Sequence, residues 1–292
     1  MNFFYGLSKD YDVRYECEDY IALMYKIEMK DALRGVYEPA KDQKDSYFVS
    51  ATESKHKNTQ AQSYFKIPNT SYRFLPMLRQ NCSSSKNVQR DVVVITASSG
   101  SGKTTLITRM SKVYRGINPD NKIYFISSKN MAIDPSFDAR LYTFISFSDF
   151  MELFPDDEAI EEFTIGNQMD NSLLIFDDIV LGAATKEGKE EKGRFYKFLS
   201  VILNLKRMNY ISLIYCTHET SDYSYTRNLF NETTVYITFN TDLKNRSNLI
   251  LVDHLKLNKS EITRITNAKS RWVAVLTRPR AILTETEVIA LN

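Results

Sequence analysis

The sequence predicts an α/β fold, a mostly parallel sheet with helices on both faces plus a small N-terminal extension, and three observations carry that prediction. An apolar run at residues 91–96 enters a loop of small residues and then a stretch of helical periodicity. From Asp91 onward, strand-like and helix-like segments alternate, the pattern of strands joined by crossover helices. A second apolar run, Leu173-Leu174-Ile175-Phe176, ends in two carboxylates, Asp177 and Asp178.

Residues 1–85 read as an extension or linker of unassigned role, and residues 86–292 as the folded domain. The extension is rich in tyrosine and acidic between Asp10 and Asp19. A helix is expected over 20–33 and a polar linker or surface loop over 41–62. After the strand at 91–96, Leu106, Ile107, Met110, Val113 and Tyr114 recur at helical spacing, and Gly116 with Asn118-Pro119-Asp120 stops the helix. Strands are predicted at 122–127 and 141–145, a short helix at 146–154 capped by Ser146, and a strand at 172–176. Residues 185–194, dense in charge and containing Gly188 and Gly193, read as a solvated loop. Phe195, Phe198, Leu199, Ile202 and Leu203 form the apolar face of a long helix that ends near 206–209. Strands are expected at 211–216, 235–239 and 272–277, with a helix at 260–268. A turn at Arg278-Pro279-Arg280 leads into a returning hairpin arm at 281–291.

Composition narrows the possibilities. The 292 residues suffice for one α/β core and a smaller appendage. With 38 basic and 36 acidic residues the net charge is +2, so any contact with nucleic acid is local rather than a global basic field. Cys17, Cys82 and Cys216 are odd in number and far apart, which argues against a disulfide framework or a zinc site and for a reducing compartment. No apolar run approaches the roughly 18 residues of a membrane span, and no leader peptide is expected at the N-terminus.

The loop Ala97-Ser98-Ser99-Gly100-Ser101-Gly102-Lys103-Thr104-Thr105 carries the chemistry. Wrapping a polyphosphate requires several main-chain N–H groups to face one anion, which a tight turn of small residues presents together. Ser99, Gly100, Ser101, Gly102, Lys103, Thr104 and Thr105 are therefore the expected cradle for ATP. Lys103 would reach the β and γ phosphates, and the Thr104 hydroxyl would bind Mg²⁺. Ala97 stands where the motif ordinarily has glycine. Asp177 is the expected second ligand of Mg²⁺, and Asp178 the group that polarises water. The strand at 211–216 ends in Thr217-His218, which a resemblance to ring ATPases makes the candidates for contact with the γ phosphate or the water. These features predict a P-loop NTPase fold, and their order resembles the RecA/FtsK-like type.

The order of these parts, followed by Lys206-Arg207-Met208-Asn209, Tyr215-Cys216-Thr217-His218 and Thr226-Arg227-Asn228, resembles the DNA-packaging ATPases of large double-stranded DNA viruses. These are the poxvirus-type motors of the FtsK–HerA superfamily, and the resemblance covers residues 88–240. It implies that Arg207 or Arg227 serves as an arginine finger for a neighbouring subunit. It also implies a homo-oligomeric ring, double-stranded DNA in the channel, a viral capsid or portal-vertex protein as docking partner, and a place in the virion or host-cell cytoplasm. The family usually has histidine where this chain has Met208 and glutamine where it has His218. Lys206, Lys244 and Arg246 are candidate DNA contacts. Two other readings use the same loop: a small-molecule kinase with Arg278 and Arg280 as lid cations, and a slow nucleotide-dependent switch or scaffold.

Overall fold

The computed structural model describes residues 2–7, 20–26, 47–52, 64–66, 72–78, 91–131, 134, 137–163, 169–182, 185–205, 211–217, 223–239, 250–277 and 280–291. In chain order the elements are β1 (Asn2–Leu7), β2 (Tyr20–Lys26), β3 (Tyr47–Thr52), β4 (Tyr64–Lys66), β5 (Tyr72–Pro76), β6 (Val92–Thr96), α1 (Lys103–Ile117), β7 (Ile123–Ser127), β8 (Thr143–Ser146), α2 (Phe147–Glu152), α3 (Asp157–Phe163) and β9 (Leu173–Asp177). There follow α4 (Lys186–Leu205), β10 (Ser212–Thr217), α5 (Tyr223–Glu232), β11 (Val235–Phe239), a single π-helical turn (Ile250–His254), α6 (Lys259–Asn267), β12 (Trp272–Thr277), β13 (Arg280–Thr284) and β14 (Glu287–Ala290).

Ten of these strands form one sheet in the order β4-β14-β13-β12-β11-β6-β10-β9-β7-β8. From β11 to β8 every pairing is parallel, and from β11 to β4 every pairing is antiparallel. The parallel half places the carboxyl ends of β6, β10, β9 and β7 along one edge, where crevices form in open α/β sheets. The loop after β6 and the acidic end of β9 meet there, with β10 between their strands.

Period-two alternation divides each central strand between two cores. Val93, Ile95, Leu173 and Ile175 face α1, packing with Leu106, Ile107 and Met110. Val92, Val94, Leu174 and Phe176 face the opposite way, onto Phe150, Phe195, Phe198 and Ile202 from α2 and α4. Both faces of β6 and β9 are buried, hence their continuous apolar runs. The second core is aromatic at its centre: Phe150 meets Phe198, Phe154 and Phe176 with centroids 5.0, 5.2 and 5.4 Å away.

Three expectations are corrected. Residues 20–26 form β2 rather than the first part of a helix, pairing with β3 and β5 in a four-stranded antiparallel sheet; Tyr20, Ile21 and Tyr25 are residues that favour strands. The stretch read as a polar linker holds β3. The charged segment at 185–194 is not a loop, because α4 starts at Lys186 and the Thr185 hydroxyl accepts a hydrogen bond from the Gly188 N–H at 3.0 Å. Gly188 marks a close approach: a Cβ there would lie 1.8 Å from the Gly182 carbonyl oxygen. The helices α3 and α5 and the π turn were not anticipated.

The extension is joined to the core. The three residues of β4 pair with β14, and Ala22, Phe74, Leu75, Met77 and Leu78 belong to the core beneath α1. Phe150→Ala is expected to lower the unfolding free energy by about 3–5 kcal/mol in urea titration. Leu153→Ala, at a residue 55% exposed, is expected to change it by about 0.5 kcal/mol or less.

Candidate active site

A cavity of about 560 Å³ opens at the carboxyl ends of the parallel strands, bounded by the small-residue loop, Lys129, Asn130, Met131, Asp134 and Asp178. Ser99, Gly100, Gly102, Lys103, Thr104 and Thr105 all line it. Gly100 at φ 76° and Gly102 at φ 98° occupy the left-handed region, so a Cβ at either would strain the turn whatever space surrounds it. Ala97 needs no such freedom. It is buried among the residues packed beneath α1, and its N–H donates to the Thr217 carbonyl at 3.4 Å, so the methyl group points no bulk at the cavity.

The first turn of α1 has no side-chain cap and no acidic residue. Its leading N–H groups and the positive end of its dipole are left to an anion. A polyphosphate fits this end of the cavity on that ground.

Lys103 brings together the two distant parts of the motif set. Alternation along β9 puts Asp177 on the same face as Leu173 and Ile175, which is the face α1 covers. Lys103 Nζ lies 2.9 Å from Asp177 Oδ1 and 2.9 Å from Asp178 Oδ1. The Lys103 side chain is only 7% exposed and that of Asp177 only 1%. Burial alone would lower the pKa of Lys103; the surrounding groups, Cys216 and the two aspartates, outweigh it and hold the pKa well above its ordinary value. Burial keeps the Cys216 thiol protonated at neutral pH, so the working partners there are the carboxylates. For Asp177 burial wins, and its pKa is raised despite the nearby ammonium.

The contact to Asp177 is an ion pair by distance without the angles of a hydrogen bond, and neither carboxylate oxygen has a hydrogen-bonding partner among the described residues. A buried carboxylate held only by the Lys103 ion pair has acceptor capacity left for a further cation. Asp177, with the Thr104 hydroxyl at the cavity wall, fits Mg²⁺ bound together with phosphate oxygens.

Asp178 takes hydrogen bonds on both oxygens, from Lys103 Nζ at 2.9 Å and from Lys129 Nζ at 2.6 Å. Its φ of 52° turns the chain sharply after the strand. Ser101 does not line the cavity; its hydroxyl is buried with no hydrogen-bonding partner among the described residues. Thr217 closes β10 beside Thr96, at the entry to the loop. Arg227 is exposed on α5, does not line the cavity and lies near His254. Arg280 donates to the Lys256 carbonyl at 3.4 Å and does not line the cavity. Arg207, His218, Lys206, Lys244, Arg246 and Arg278 lie outside the described residues.

Sequence reasoning missed Lys129, Asn130 and Asp134. The available signal was positional: they follow β7, and residues past the carboxyl end of a parallel strand line the crevice.

No protein-family model matches the chain. "Uncharacterized protein V3" of Sputnik virophage is 26% identical over 188 residues, 64% of this chain and 71% of that protein. Among solved structures the chain is similar to the genome packaging NTPase B204 from Sulfolobus turreted icosahedral virus 2 in complex with sulfate. That match has 15% identity, covers 67% of this chain and 95% of the other, and has a TM-score of 0.46. It is also similar to the monomer form of the pCW3 conjugation coupling protein TcpA with ATPγS, at 12% identity, 87% and 76% coverage and a TM-score of 0.46.

Lys103→Ala leaves the Asp177 carboxylate buried without its cation and is expected to cost about 3 kcal/mol near neutral pH. Because burial raises the folded-state pKa of Asp177, the folded chain binds more protons than the unfolded one across that window, and stability falls as pH rises through the folded value. Losing the ammonium widens the window. Urea titrations should therefore show the deficit of the variant shrinking toward about pH 4 and growing toward about pH 7.5.

Proposed function

We propose that this chain is a magnesium-dependent ATPase that drives double-stranded DNA into a viral capsid as one subunit of a homo-oligomeric ring. The observation that supports hydrolysis best is the meeting of Lys103 and Asp178 at a cavity lined by an uncapped helix start, with Asp177 buried directly behind Lys103. The motif order over residues 88–240 supports the packaging reading, and a relative encoded by a virophage accords with a viral chain working in the virion or host-cell cytoplasm.

In this reading Lys103 turns from the aspartates to the β and γ phosphates, while main-chain N–H groups of the loop hold the polyphosphate in place. Asp177 and Thr104 would hold Mg²⁺, which would supply positive charge against the phosphate oxygens. Asp178 takes a proton from a water molecule whose oxygen bonds to the terminal phosphorus. The bond from that phosphorus to the bridging oxygen breaks, and ADP leaves with the electron pair. Thr217 and His218 orient the water from the end of β10. Arg227, exposed and not lining its own cavity, acts on the nucleotide of a neighbouring subunit, as does Arg207 in the alternative assignment. A capsid or portal-vertex protein docks the ring, and DNA contacts, with Lys206, Lys244 and Arg246 as contributors, fall mainly on phosphates. Nothing in the placement of Arg280 favours the kinase reading.

The test is ATP turnover with and without double-stranded DNA, alongside assembly size by light scattering. Stimulation by DNA that weakens steeply with salt, in a ring-sized particle, is the expected result. A DNA-indifferent monomer that still hydrolyses ATP would remove the motor and leave the ATPase, and nucleotide binding without turnover would leave the switch. Asp178→Asn is expected to slow single-turnover hydrolysis by about a hundredfold or more while triphosphate binding persists; unchanged hydrolysis would reassign the proton acceptor.

A further inference from the structure

Lys129 belongs to no motif, yet it is placed at the reacting end of the cavity. It stands just past β7, which is hydrogen-bonded to β9 in a register that pairs Ser127 with Asp177. The two strand ends therefore deliver Lys129 and Asp178 side by side, and Nζ reaches Asp178 Oδ2 at 2.6 Å. The sharp turn at Asp178, with its positive φ, directs the carboxylate between the two ammonium groups.

The two lysines differ in exposure. Lys103 is almost wholly buried, whereas the side chain of Lys129 is 56% exposed and lines the same cavity as the phosphate loop. The pair is open to solvent on the lysine side while Asp178 is only 13% exposed, so Lys129 is the partner that can swing to another anion. A terminal phosphate, carrying more charge and more acceptor oxygens than a carboxylate, is the stronger competitor. While both oxygens of Asp178 accept from ammonium groups, that carboxylate has little electron density to offer a proton.

We propose that Lys129 is a second phosphate-binding cation, specific for the terminal phosphate of a nucleoside triphosphate, and that its transfer to that phosphate releases Asp178 to accept the proton of the attacking water. A diphosphate draws away Lys103 alone and leaves Asp178 engaged by Lys129. The chain thus senses the γ phosphate with its own residue and readies its proton acceptor only when that phosphate arrives. The inference rests on the hydrolytic reading above and adds a residue and a switching order to it.

Calorimetric titration of the 292-residue chain, its K129M variant and its K129R variant with magnesium and either ADP or a non-hydrolysable ATP analogue tests the proposal. K129M should bind the triphosphate analogue about tenfold more weakly while ADP affinity changes less than about twofold, and K129R should retain most of the triphosphate affinity. Equal losses for both nucleotides, or no loss for the triphosphate, would overturn it. If the unaltered chain binds neither nucleotide, the hydrolytic reading fails and this inference with it. If the unaltered chain binds both and K129M matches it, only the role of Lys129 falls.

Discussion

A buried ammonium group is tolerable only when negative charge surrounds it, and that constraint organises this molecule around Lys103. Its carboxylate partners come from a strand far along the chain, so the sheet must hold β6 and β9 at a fixed separation, with β10 between them. Parallel pairing across all three brings their carboxyl ends to a common edge. Alternation then decides which face of β9 each side chain takes, and Asp177 falls on the face covered by α1. A register slip of one residue would turn the carboxylate into the aromatic core on the other side. Charge pairing, sheet order and side-chain alternation are in this sense one requirement met three ways.

Much of this architecture was legible in the sequence because its strongest signals are local. The loop from Ala97 to Thr105 must be small and glycine-bearing to take its shape, and Gly100 and Gly102 do have positive φ. Strands buried on both faces announce themselves as unbroken apolar runs, as at Val92–Thr96, Leu173–Asp177 and Val235–Phe239. The stop of α1 was also readable: Asn118 closes it, its N–H donating to the Tyr114 carbonyl at 2.8 Å.

What was not legible depends on contacts distant in sequence. The charged start of α4 looks like a loop until the Gly182 carbonyl is seen packed against Gly188, which gives a glycine inside a helix a steric reason. Residues 20–26 carry apolar and aromatic side chains at spacings that suit either helix or strand, and the partner strands β3 and β5 decide between them. The pairing of Lys129 with Asp178 joins two adjacent strand ends whose neighbour relation appears only once the strand order is known. Even the acidic pair was readable as a strand end but not as the bridge between two lysines.

The pairing of β4 with β14 has a further consequence. Sheet edges present rows of unsatisfied N–H and C=O groups that recruit strands from other molecules. By laying three residues from its early portion along the last strand, with Lys66 and Glu287 in ion contact at 3.0 Å, the chain shields that flank from self-association. A shortened chain beginning at residue 86 would bare β14 and also strip Ala22, Phe74, Leu75, Met77 and Leu78 from beneath α1, so the helix that follows the phosphate loop would lose part of its floor together with its covered edge.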